Sequence, residues 1–242
     1  MKKFVSFVVV CGVFFFSTTT LFAQEASGEG LTEMHNLAKE YFVKGGVPWM
    51  SPILALLIIG LAVAIERIFY LNLATVNTGK LLKKVEEALE GEGGVEAAKE
   101  VCRDTRGPVA SIFYQGLLRS NEGLEMAEKS IVSYGGVQMA KLESGMGWLN
   151  LFIAVIPSVG FLGTVVGMVL AFDAIAKAGD ISPTIVAGGM MIALLTTVMA
   201  LISAVILQFF YNYLLVKIGN LVASMEDSSI SMMDILAKNQ KK

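Results

Sequence analysis

Three long stretches of this 242-residue chain contain no charged side chain: Gly45 to Ile65, Ser144 to Phe172, and Ile181 to Val216. Runs of that length can cross a hydrocarbon core, which needs roughly 20 apolar residues. Other absences narrow the function. Two cysteines, Cys11 and Cys102, are too few for a disulfide scaffold. The single histidine, His35, has no cysteine or carboxylate at ligand spacing, so it reads as a surface residue and no metal site is expected. A net charge of −2 with no basic stripe argues against a nucleic-acid partner. The glycine cluster Gly91-Glu92-Gly93-Gly94 lacks the Lys-Ser/Thr of a phosphate-binding loop and reads as a turn. No nucleophile–base pair or metal constellation is visible, so neither an enzyme nor a cofactor is expected.

What is present is apolar. Hydrophobic residues make up 55% of the chain, above the roughly 45–50% of soluble domains, and mean hydropathy is +0.65. The expected fold is an all-α membrane protein with three transmembrane helices and long cytoplasmic helical extensions. Residues 1–23 open with Lys2 and Lys3, continue through an apolar core, and end in Ala23, the pattern of a cleaved secretory signal peptide. Its apolar core is only about half a span long, which disfavours a retained anchor. Residues 24–47 form a periplasmic segment, with Thr32 capping a short amphipathic helix that reaches about Lys44. The first span is 48–71, with Pro52 at its entrance and Glu66-Arg67 at its exit. That pair beside Tyr70 reads as an interfacial charge pair with an aromatic anchor.

Residues 72–146 are polar, and four helices are expected within them. The last, Leu124 to Glu143, should run directly into the second span, 147–172. A short loop, 173–183, precedes the third span, 184–214, and a tail, 215–242. Nine Lys/Arg residues lie between the first two spans, whereas the short loop carries only Lys177. The positive-inside bias therefore places 72–146 and the tail in the cytoplasm of an inner-membrane protein, with the N-terminus outside. The charge-free run Ile181 to Val216 would make roughly 54 Å of helix against a core of about 30 Å, so it should project beyond the bilayer.

In the second span Pro157, Gly160, Thr164, Gly167 and Ala171 recur every three or four residues, on one helical face. In the third, Ala193, Thr197, Ala200 and Ala204 form a similar line, flanked by Thr196 and Ser203. Small residues let helices approach closely in lipid, where there is no hydrophobic drive to associate. The deepest polar groups are then hydroxyls. Threonine in a membrane helix often bonds its own backbone carbonyl one turn back. A hydroxyl can also donate and accept, and so relay a proton, but it cannot hold a charge near neutral pH. Relays at membrane depth usually need an ionisable side chain. The chain alone is incomplete as a proton path.

The run Pro157-Ser158-Val159-Gly160-Phe161-Leu162-Gly163-Thr164-Val165-Val166-Gly167-Met168 resembles the second transmembrane helix of the ExbB/TolQ/MotA proton-channel family, and ExbB most closely. Gly189 to Thr197 resembles its third helix, and Arg106-Gly107-Pro108-Val109-Ala110 its cytoplasmic region. The resemblance implies a homo-oligomer, a pentamer around a pore that holds an ExbD-like one-span partner with an intramembrane Asp. It also implies a TonB-like protein as the recipient of proton-motive energy. It assigns Thr164 and Thr197, with Thr196 next, to the proton pathway. Pro157, Gly160, Gly163, Gly167, Ala193, Ala200 and Ala204 are the helix-packing positions. The chain departs from the ExbB pattern at Ile192, where a Glu is frequent, and at Ala200-Leu201 and Ala204-Val205-Ile206. A TolQ-like subunit for envelope integrity and a non-conducting scaffold are the alternative readings.

Overall fold

The computed structural model describes residue 36 and residues 39–91, 93–179 and 183–240. The expected signal peptide, 1–23, and most of the segment 24–47 lie outside the described residues; residues 39–44 are helical. The described elements from there on are α1 (Val47–Ala74), α2 (Thr78–Glu90), α3 (Gly94–Asp104), α4 (Pro108–Leu118), a 3-10 turn (Ser120–Glu122), α5 (Leu124–Glu143), α6 (Met146–Ala178) and α7 (Pro183–Gln240). No strand occurs among the described residues. Among the described residues three stretches are long and apolar enough to cross a membrane, and they centre on α1, α6 and α7. The chain divides into two compact units, one including Val159–Met199, the other comprising Ile53–Ser158 and Ala200–Lys242.

In the second unit, short amphipathic helices pack in sequence order. Asn77 caps α2 by accepting the backbone N–H of Lys80 at 3.2 Å. One face of α2 then buries Leu81, Val85 and Leu89, while α3 buries Ala98 and Cys102. The break before α4 depends on Gly107, whose φ of +126° is strained for any residue with a side chain; a Cβ there would also lie 2.8 Å from Val76 Cγ2. Pro108 then starts α4, which buries Ile112, Phe113 and Leu117. α5 contributes Ala127, Ile131, Gln138 and Leu142. At the far end of α7, Lys238 Nζ lies 3.6 Å from Glu86 and 4.0 Å from Glu90 of α2.

The structure departs from the sequence expectations in three places. α5 does not run straight into the second span: Ser144 and Gly145 form a turn, with Gly145 at φ +85°. The second membrane helix does not stop at Phe172 but continues through Asp173 to Ala178, with Lys177 Nζ bonded to Asp173 at 2.6 Å. The third does not stop near 214 but runs unbroken to Gln240, because Leu214, Ile218, Met225, Met232 and Leu236 keep a buried line well past the charge-free stretch.

Candidate functional site: a hydroxyl pair in the membrane helices

Within Val159–Met199, α6 and α7 meet through their small residues. A Cβ built on Gly163 would lie 2.8 Å from Thr196 Oγ1. On Gly167 it would lie 2.8 Å from both Ala193 N and Gly189 O, and on Gly189 2.7 Å from Ala171 Cβ. The helices are thus in backbone contact, as small-residue packing requires. Gly160, Gly163, Gly167, Ala171, Ala193, Ala200 and Ala204 are all buried, and Pro157 is half-buried. Gly189 was not among the expected packing positions. The spacing Gly189–Ala193–Thr196–Ala200 was the signal for it, one turn earlier on the same line.

This close approach brings three threonines together. Thr164 Oγ1 and Thr197 Oγ1 are hydrogen-bonded to one another. Each also lies within reach of a carbonyl: Thr164 of Gly160 O at 3.2 Å and Ala193 O at 3.3 Å, Thr197 of Ala193 O at 3.1 Å. Thr196 Oγ1 reaches Ile192 O at 2.9 Å and Ala193 O at 3.0 Å. Three hydroxyls therefore converge on the single carbonyl of Ala193.

Each hydroxyl has one hydrogen, so the Thr164–Thr197 pair has two alternative arrangements. Thr164 can donate to Thr197, which donates to Ala193. Alternatively, Thr197 donates to Thr164, which donates to Gly160 or Ala193. Reversing the order needs only hydroxyl rotation. Thr196 differs from the other two. It is 0% exposed and pressed on Gly163, so its hydroxyl is committed to the backbone. Thr164 and Thr197 are half-buried. The backbone-bonded reading of threonine and the paired reading hold here together.

The interfacial pair is less symmetrical than its sequence suggests. Glu66 is exposed and lies 3.5 Å from Arg67 Nη2. Arg67 is turned inward, with its side chain 15% exposed and its guanidinium 5.3 Å from the Tyr70 ring centre. It lies against the turn between α5 and α6, where a Cβ on Gly145 would fall 2.7 Å from Nε. Arg67 Nε is buried without a hydrogen-bond partner. The Ser144-Gly145 dipeptide is a turn signal that the reading of a continuous helix passed over, but nothing in the sequence pairs that turn with Arg67.

Among the described residues no group of three His, Cys, Asp or Glu side chains could hold a metal ion. Cys102 is free and 3% exposed, and burial pushes its thiol from 9.0 to about 11.

Comparison with known proteins places this geometry. The model of the MotA/TolQ/ExbB proton channel family matches residues 104–227, which run from the last residue of α3 through α4 to α6 and most of α7. A biopolymer transport protein ExbB homolog of Methanothermobacter thermautotrophicus is 31% identical over 188 residues, covering 77% of this chain and 66% of that protein. An ExbB-like biopolymer transport protein of Synechocystis sp. is 27% identical over 179 residues, covering 72% of this chain and 69% of its own length. The family match takes in two of the apolar helices, α6 and most of α7, with the hydroxyl pair between them, and the chain belongs to the MotA/TolQ/ExbB proton channel family.

Proposed function

We propose that the chain is an ExbB-like inner-membrane subunit of a motor that uses the proton gradient to energise TonB-dependent transport across an outer membrane. The observation that carries this reading is the Thr164–Thr197 hydroxyl pair between the charge-free stretches of two helices, Ser144 to Phe172 and Ile181 to Val216. Such a pair can pass a proton but cannot store one. A carboxylate must therefore come from elsewhere, and an ExbD-like one-span partner with an intramembrane Asp supplies it at the depth of the threonines. Thr164 and Thr197 would relay the proton, while Thr196 would hold Gly163 and the seam together. The subunit assembles with copies of itself, its N-terminus outside and its C-terminus in the cytoplasm. It performs no covalent chemistry.

Co-purification tests the reading. Mild-detergent extraction of the tagged chain from its own membranes should yield a small protein with one apolar span containing an aspartate. Recovery of the chain alone, under conditions that preserve its self-assembly, would favour the scaffold reading over the motor.

A further inference from the structure

We propose that the break between α5 and α6 is a two-position joint, bent as in this structure or straightened into one helix, and that Arg67 of α1 latches the bent position.

Three observations meet at Ser144-Gly145. First, the buried residues on either side, Gln138, Leu142, Met146, Leu149 and Ile156, keep the spacing of a single uninterrupted helix, so the pattern itself calls for no turn. Second, the turn leaves backbone groups unmatched. The first backbone hydrogen bond of α6 runs from Leu149 N to Gly145 O at 3.3 Å. Among the described residues Met146, Gly147 and Trp148 therefore donate to no carbonyl one turn back. Gly145 has no side chain with which to cap them and is held at φ +85°. Third, Arg67 sets one edge of its guanidinium against this residue, where a Cβ would lie 2.7 Å from Nε and 3.3 Å from Nη2. Its Nε is buried without a partner. Unmatched groups gathered at one point mark a local strain.

The two positions relieve this strain in different ways. Straightening lets Met146, Gly147 and Trp148 donate to the carbonyls of Leu142, Glu143 and Ser144, and it takes Gly145 out of the left-handed region. Against it stands the glycine, which weakens any helix that runs through it. Bending leaves the last carbonyls of α5 open. A cation at a helix C-terminus is favoured there, and Arg67 lies against the residue that follows them. Straightening closes those carbonyls and removes the advantage. Helical pattern and backbone bonds thus favour one position, glycine and arginine the other. α6 carries Thr164, while α5 leads back to the short helices of 72–146. The joint lets those helices change direction against the membrane helix without unfolding.

Spin labels at Lys129→Cys in α5 and Leu151→Cys in α6, both exposed positions, test this in the full-length chain in bilayers. Cys102→Ala removes the buried thiol, and unlabelled copies dilute the labelled ones. A straight helix sets the two sites about 33 Å apart along its axis, and the bend brings them closer. Double electron–electron resonance should give two distances, the shorter dominant. Gly145→Ala should enlarge the longer population about fivefold or more. Arg67→Gln should enlarge it about two- to fivefold. Ser144→Pro should abolish it, since the φ of −52° in the bend suits proline whereas a continuous helix does not. A single distance, unmoved by Gly145→Ala and Arg67→Gln, would show a fixed turn and overturn the joint. The longer distance alone in the unsubstituted turn would overturn the bent position. A response to Gly145→Ala with none to Arg67→Gln would overturn the latch. A longer population that survives Ser144→Pro is no straightened helix and would also overturn the joint.

Discussion

Gly167→Ala isolates what the close approach of α6 and α7 contributes. The added methyl would lie 2.8 Å from Ala193 N and from Gly189 O, and 3.1 Å from Ala193 Cα, all backbone atoms that cannot swing aside. Ordinary contact begins at 3.4 Å, so the helices must part by about 0.6 Å. A gap of that size forfeits about a quarter to a half of each dispersion contact, or about 1–2 kcal/mol over some 25 atom pairs along the seam. Stretching the Thr164–Thr197 bond removes about 0.6 kcal/mol more, the usual worth of such bonds between membrane helices. Against this, alanine gains about 1 kcal/mol of helix propensity over glycine. The net expectation is a loss of about 1 kcal/mol. Gly188→Ala is the control, since its methyl meets nothing within 4 Å and it gains the same propensity. Unfolding of both variants by an added denaturing detergent, followed by circular dichroism, should separate them by about 2 kcal/mol, with Gly188→Ala the more stable. Equal shifts in the two would refute the backbone-contact reasoning.

Three further outcomes follow from the second unit. Cys102, buried with its thiol near 11, should react with a maleimide in the native protein far more slowly than a free thiol; rapid native labelling would place it on the surface. Because burial raises that value from 9.0 to about 11, its contribution to stability is intact below pH 9 and declines from there towards pH 11, where the unfolded chain loses a proton that the folded one keeps. Cys102→Ala should remove that part of the alkaline slope in a pH series of melts. Gly145→Ala places a methyl 2.7 Å from Arg67 Nε at a φ of +85° and should cost about 2 kcal/mol, of which Arg67→Ala in the same chain restores only the clash and not the backbone strain of about 1–2 kcal/mol. Lys238→Ala breaks two long, exposed ion pairs to Glu86 and Glu90 and should change stability by less than about 0.5 kcal/mol.

The three spans were legible because charge is excluded from lipid, and a charge-free run is visible by inspection. The small faces were legible because helical periodicity is fixed, which brought Gly160, Gly167 and Ala193 out of the sequence before any contact was known. Gly145 was legible as a stop signal but was read through. A glycine after Lys141 and Ser144 is the usual mark of a helix end at positive φ, but the apolar periodicity on both sides outweighed it. Arg67 reads as one of many arginines at a membrane boundary; only the turn at Gly145 shows that it points inward. The length of α7 was half-legible. The charge-free run announced a helix longer than the bilayer, but its continuation to Gln240 depends on a buried line of Ile218, Met225, Met232 and Leu236 interspersed with charges.

The central claim is that the hydroxyls of Thr164 and Thr197 carry protons and do not merely fill the seam. Valine keeps the shape of threonine without the hydroxyl, and serine keeps the hydroxyl without the methyl. The direct measurement is uptake of a transporter-dependent nutrient in cells lacking the native subunit, with the one-span partner present. Thr164→Val and Thr197→Val should each abolish uptake while expression and oligomer size stay unchanged, and the two serine variants should retain much of it. Normal uptake by both valine variants would contradict the account, leaving the pair as packing and the proton path elsewhere.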